Sequence, residues 1–142
     1  MGGLFCDCIL KMNDIKPKRD WWQKGRAFDL WSIPHFLFGI LMAFVPPLTD
    51  ISFSIVLTFS FILAVLWELF EIYIGIKETV LNSLLDVFLP IVAFIITSYM
   101  LHIYTFRHDE LLVIAVAIFV LYVFTNISGW LAYRRRNRDF TH

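Results

Sequence analysis

The sequence predicts an all-α integral membrane protein with four transmembrane helices, and three observations carry this prediction. Hydrophobic residues make up 59% of the 142 residues, charged residues only 17%, and the mean hydropathy is +0.72. Four stretches without Asp, Glu, Lys or Arg each approach the roughly 20 residues that a helix needs to cross a bilayer. These stretches lack the two-residue alternation of membrane β-strands and are about twice as long as such strands.

The same composition excludes other classes of protein. Soluble domains contain about 45–50% apolar and about 25% charged residues, and disordered chains are far less hydrophobic than this one. The 12 Lys and Arg residues balance 12 Asp and Glu residues, so no net positive field would attract nucleic acid. We therefore expect membrane lipids, and other membrane subunits, as partners.

Charges and prolines set the boundaries of the predicted spans. We place the four helices at about 33–47, 51–76, 84–104 and 111–133, preceded by a tail (1–29) and followed by a basic tail (134–142) within one transmembrane domain, 30–133. In the first helix, Ser32 is the predicted cap, Pro34 lies in the first turn, and Pro46-Pro47 ends the helix. The sequence shows no internal repeat and no second domain.

Basic residues predict the orientation of the chain. Eleven of the 12 Lys and Arg residues lie in the two tails or in the loop between the second and third helices, and only Arg107 lies on the other side. Since Lys and Arg concentrate in cytoplasmic loops, both termini are predicted to be cytoplasmic, with residues 1–29 partly interfacial. Aromatic and basic residues of the tails are candidates for docking lipid or a partner: Trp21, Trp22, Arg134, Arg135 and Arg136.

Polar side chains inside the spans are the candidate functional residues, because an ionisable group costs several kcal/mol in a bilayer unless it is paired or hydrated. In the predicted topology six of them share the cytoplasmic third of the bundle: His35, Glu68, Glu71, Asn82, Asp86 and Asn126. Glu68 and Glu71 are three residues apart, and Asn82 and Asp86 are four apart, so each pair lies on one helix face. The sequence therefore predicts one shared site.

Each of these residues also has a structural interpretation. Ser83 and Asp86 have the spacing of a capping box at a helix start. Glu71 would then be a charge near the interface, His35 a hydrogen-bonded interior histidine, and Asn126 a hydrogen-bonding residue between helices. Glu68 follows 17 uncharged residues and is the strongest candidate for a functional group.

Three short motifs resemble those of the VanZ-like membrane proteins. They are Phe28-Asp29 with His35-Phe36, Trp67-Glu68-x-x-Glu71, and Asn82-x-x-x-Asp86, within roughly residues 28–95. The resemblance implies a small helical membrane protein that uses these positions. That family is linked to glycopeptide resistance, and the resemblance implies no particular reaction.

Two functional hypotheses follow. In the first, His35, Glu68, Glu71 and Asp86 form a site in the cytoplasmic leaflet that binds a divalent metal ion, a lipid head group, or both. In the second, the chain is an accessory structural subunit of a larger membrane complex, and the polar residues are a packing network. A transporter is disfavoured because the polar residues occupy one leaflet. No nucleophile motif or phosphate-binding glycine loop indicates an enzymatic reaction.

Overall fold

A computed structural model describes residues 30–74 and 79–139, with residues 136–139 as backbone only. Several sequence predictions lie outside the described residues. They concern the tail with Trp21 and Trp22, residues 75 and 76 at the end of the predicted second helix, and the side chain of Arg136.

The described residues form five α-helices and no strand. They are α1 (Ser32–Ala43), α2 (Val45–Thr49), α3 (Phe53–Tyr73), α4 (Val80–Ile103) and α5 (His108–Asp139). Four helical segments are long and apolar enough to cross a membrane: Ser32–Thr49, Phe53–Tyr73, Val80–Ile103 and His108–Arg135. The predicted all-α class with four helices of spanning length is thereby confirmed.

The end of the first span differs from the prediction. Pro46 and Pro47 do not end the helical path, because they lie in the first turn of α2, after a break at Phe44. Proline is tolerated there, since the first N–H groups of a helix have no acceptor within the helix. The segment ends at Asp50, which has a left-handed backbone (φ 59°) and donates its N–H to the Pro46 carbonyl at 3.0 Å.

The start of α4 also differs from the prediction. The helix begins at Val80, four residues before the predicted boundary, and the Thr79 hydroxyl accepts the Asn82 N–H at 3.3 Å. Thr79 is thus the cap. Asp86 is the seventh residue of α4 and is fully buried, so the capping-box interpretation of Ser83 and Asp86 is wrong.

Helix α1 lies at the centre of the bundle. It packs mainly against α4 and also contacts α5 and α3, while α3 also packs against α4. The close contact between α1 and α4 occurs at Gly39, where an added Cβ atom would lie 2.7 Å from the Cα of Pro90. A small residue at this position lets the two backbones meet, as is common between membrane helices.

Two small apolar clusters join the C-terminal end of α1 and the C-terminal half of α4 to the neighbouring helices. One contains Ala43, Val56 and Phe94, and the other contains Phe44, Leu111 and Ala115. Most other large apolar side chains of the spans point outward, such as Ile55 at 63% and Val113 at 69% exposure. Such a surface suits hydrocarbon as its surroundings.

Candidate functional site

Three of the predicted residues meet at one end of the bundle. His35 is the fourth residue of α1, Asp86 is the seventh residue of α4, and Glu68 lies five residues before the end of α3. One potential ligand atom of each lies within 4.8 Å of the others. Because successive spans alternate in direction, the starts of α1 and α4 and the end of α3 share this end.

The contact between Gly39 and Pro90 explains why His35 and Asp86 are close. His35 precedes Gly39 by four residues, and Asp86 precedes Pro90 by four residues. Since α1 and α4 run in the same direction, one turn back along both helices from their contact brings these two side chains together. Because Gly39 has no side chain, the helices approach closely, and this close approach sets the distance between His35 and Asp86.

Two hydrogen bonds orient the Asp86 carboxylate. The Asn82 amide donates to Oδ2 at 2.9 Å, and the Ser32 hydroxyl donates to Oδ1 at a longer 3.3 Å. Asn82 and Asp86 have no exposed surface, and Ser32 is 5% exposed. Pro90 has no N–H to donate to the Asp86 carbonyl. Asp86 is thus held by one residue of its own helix and one of α1.

The ionisable side chains at this end of the bundle are buried. His35 is 9% exposed, Glu68 6% and Glu71 4%. These three side chains therefore face the interior of the bundle.

Glu71 and Asn126 are not members of the three-residue group, and each forms a hydrogen bond within its own helix. The Glu71 Oε1 atom accepts the Trp67 indole N–H at 3.0 Å, within α3. The Asn126 amide donates to the Tyr122 carbonyl at 2.8 Å, within α5. Glu71 was expected to be a fourth metal ligand, but the group that converges in the structure contains His35, Glu68 and Asp86.

Ser32 also belongs to this site, although its sequence position did not indicate this. The sequence suggested a helix cap, whereas Trp31 occupies the cap position and Ser32 is the first residue of α1, with its hydroxyl on Asp86. Its spacing of three residues from His35 is the signal that places it on the same helix face.

The geometry suits a small cation. Three atoms no more than 4.8 Å apart surround a point that lies at most about 2.8 Å from each, and Zn–N and Zn–O bonds are about 2.0–2.2 Å long. Torsional adjustments that move each atom by less than about 1 Å would close the coordination sphere. An imidazole and two carboxylates are a common donor set for transition-metal ions.

Two residues predicted to dock lipid or a partner, Arg134 and Arg135, are exposed near the end of α5. This end of α5 lies beside the start of α1, because α1 and α5 run in opposite directions. The two cations and the polar group are therefore at the same end of the bundle. Trp130 and Tyr133 stack near them, with ring centroids 5.8 Å apart.

Comparison with family models, with curated proteins and with solved structures finds no match to this chain. The resemblance to the VanZ-like proteins rests on the residues quoted for it.

Proposed function

We propose that this protein is a membrane protein that binds a divalent metal ion through His35, Glu68 and Asp86. The observation that supports the proposal is the convergence of three buried ligand atoms from three spans. Ionisable residues are rare within membrane spans, and where they occur they mark functional sites by default. The residues come from segments far apart in the chain, so their convergence is not a consequence of local sequence.

The donor set favours a transition-metal ion. Ca²⁺ and Mg²⁺ prefer oxygen ligands alone, whereas zinc, iron and manganese accept mixtures of imidazole and carboxylate. Three protein ligands leave at least one coordination position for another molecule, as in catalytic zinc sites. The Asn82 amide would hold Asp86 in a ligating orientation, as residues behind metal ligands commonly do.

The proposed orientation places this site in the cytoplasmic leaflet. The uneven distribution of Lys and Arg supports it, together with the position of Arg134 and Arg135 at the polar end of the bundle. Arg107, at the other end, is exposed and pairs with Asp109 at 3.2 Å and with Glu110 at 3.1 Å. A single cysteine introduced at position 107 should react with an impermeant maleimide from outside intact cells. Protection of that cysteine would contradict the orientation.

Metal analysis of the purified full-length chain tests the site. We expect about one metal ion per chain in the wild type and loss of that ion in Glu68→Gln, because the amide lacks the negative charge of the carboxylate. Glu110→Gln is the matched control, since Glu110 is a solvated partner of Arg107 with a side chain that is 45% exposed. This variant should retain the metal.

The outcomes separate the two functional hypotheses. A wild-type chain without metal, even after incubation with zinc, iron(II) or manganese, would contradict the proposal. If Glu68→Gln also left expression and thermal stability unchanged, the residues would be a packing network, as the accessory-subunit hypothesis requires.

A further inference from the structure

A cavity of about 210 Å³ lies between α1, α3 and α5, next to the proposed metal site. Its lining includes Pro34, His35 and Phe38 of α1, Ala64 and Trp67 of α3, and Asn126 of α5. His35 belongs both to this lateral cavity and to the three-residue metal group. A molecule in the cavity would therefore lie beside the cation.

The lateral cavity is bounded by two helices that do not pack on each other. Within the described ranges, no Cα atom of α3 lies within 8 Å of a Cα atom of α5. Helix α1 forms the floor, and the gap between α3 and α5 runs along two helices of spanning length. An occupant would thus enter sideways from the bilayer.

The size of the cavity indicates what fraction of a ligand it holds. Sites that enclose a drug-sized ligand have volumes of about 300–1,000 Å³, so this cavity would hold only one segment of a longer molecule. His35 lies about 5 Å along the axis from the start of α1 at 1.5 Å per residue, near the end of the span rather than its middle. Phospholipids place their phosphate and glycerol at that depth.

We propose that the lateral cavity binds the glycerol and first chain segments of a phospholipid, whose phosphate coordinates the metal ion held by His35, Glu68 and Asp86. The inference rests on the proposed metal-binding function. Phosphate oxygens are ordinary ligands of divalent cations. The described residues that line the cavity include no Lys or Arg. In this proposal the metal ion supplies the positive charge that meets the phosphate, so we expect lipid binding to depend on the metal.

Lipid retention by the full-length chain tests the inference. The chain is purified with its metal, stripped of lipid in detergent and incubated with dioleoylphosphatidic acid, dioleoylglycerol or inorganic phosphate. Native mass spectrometry then measures the bound ligand. We expect one phosphatidic acid per chain, lost together with the metal after chelation. Dioleoylglycerol, which has the same chains without phosphate, and inorganic phosphate, which has no chains, should each bind much more weakly.

A cavity-filling substitution separates lipid binding from metal binding. Ala64→Leu places a larger side chain in the cavity without changing a metal ligand, and should reduce phosphatidic acid binding by about tenfold or more while metal content stays constant. Ala117→Leu is the same change at an exposed position of α5 and should have no effect. Leu63→Trp, at another residue of the cavity lining, should reproduce the loss if Ala64→Leu does not fold.

Each failure has its own signature. A chain that binds metal but no phosphatidic acid would overturn the lipid inference and leave the metal site in place. Equal binding of dioleoylglycerol, equal binding of inorganic phosphate, or unchanged binding in both cavity variants would also overturn it. A chain that binds no metal would overturn the proposed function and this inference together.

Discussion

The two ends of the bundle use the same helices to bury opposite kinds of side chain. At the polar end the buried polar residues are Ser32, His35, Glu68, Glu71, Asn82 and Asp86. At the apolar end they are Ala43, Phe44, Val56, Phe94, Leu111 and Ala115. Helix α1 contributes to both ends, and the contact between Gly39 and Pro90 lies between them.

This difference separates the apolar packing that holds the helices together from the polar residues for which we propose a function. In lipid the hydrophobic effect does not drive helices together, so close packing of apolar side chains supplies the association energy at the apolar end. Hydrogen bonds between membrane helices contribute only modestly on average. The polar residues therefore contribute little to holding the helices together, which is consistent with the ligand-binding role proposed for them.

The largest expected loss of stability comes from the apolar end. Phe94 has no exposed surface, and its ring centroid lies 5.1 Å from that of Phe53. Phe94→Ala should lower the free energy of unfolding by about 3–5 kcal/mol, since it removes a buried ring and leaves a cavity. Thermal unfolding in detergent measures the change. Phe119→Ala, at a ring that is 51% exposed on α5, is the control and should have little effect. Equal losses in both variants would contradict the assignment of the apolar end as the packing core.

A substitution at the contact between α1 and α4 should affect both ends of the bundle. Gly39→Ala places a Cβ atom against the backbone of Pro90, so α1 and α4 must separate, and a stability loss of about 1–3 kcal/mol is expected. Metal affinity should fall as well, because His35 and Asp86 lie one turn away from this contact. Alanine favours helix by about 1 kcal/mol over glycine, so a loss of stability reports on the contact between helices. Unchanged stability and metal affinity would show that the close approach is not required.

Removing a hydrogen bond to Asp86 should affect the proposed metal site more than the fold. Asn82→Leu deletes the amide that donates to Asp86 at 2.9 Å, and metal affinity should fall by about 10–100-fold, as for other residues behind metal ligands. Competition titration with a chelating dye gives the affinity. Ser60→Ala is the control, since the buried Ser60 hydroxyl donates to a carbonyl of its own helix at 2.8 Å and Ser60 lies outside the three-residue group and the cavity lining. If both variants bound metal like the wild type, the proposed metal-binding role of the polar end would be contradicted.

The smallest effect is expected for Ser32→Ala. The hydroxyl donates to Asp86 across 3.3 Å, which is long for a hydrogen bond between oxygens, and Asn82 remains in place. We expect a change of about 0.5–1.5 kcal/mol in unfolding free energy and a smaller loss of metal affinity than in Asn82→Leu. The same thermal and chelator measurements apply. A larger loss of affinity than in Asn82→Leu would reverse the assigned importance of the two donors.

Local rules of the sequence predicted the helical class and the number of segments of spanning length. Charge-free length is a property of consecutive residues, and a helix satisfies its own backbone hydrogen bonds, so neither depends on which helices are neighbours. The same local rules were wrong about details at the helix ends. Ser83 resembled a cap, but Thr79 precedes it and caps α4. Pro46-Pro47 resembled a stop but fits the first turn of α2.

The sequence by itself determined which polar side chains lie within the apolar segments, because that depends only on their positions along the chain. The tertiary structure decided that His35, Glu68 and Asp86 converge and that Asn126 lines a cavity. Those outcomes depend on α1 lying against α3, α4 and α5, and on the contact of Gly39 with Pro90. The contact of Gly39 with Pro90 joins residues 51 positions apart, and no spacing within a single helix specifies it.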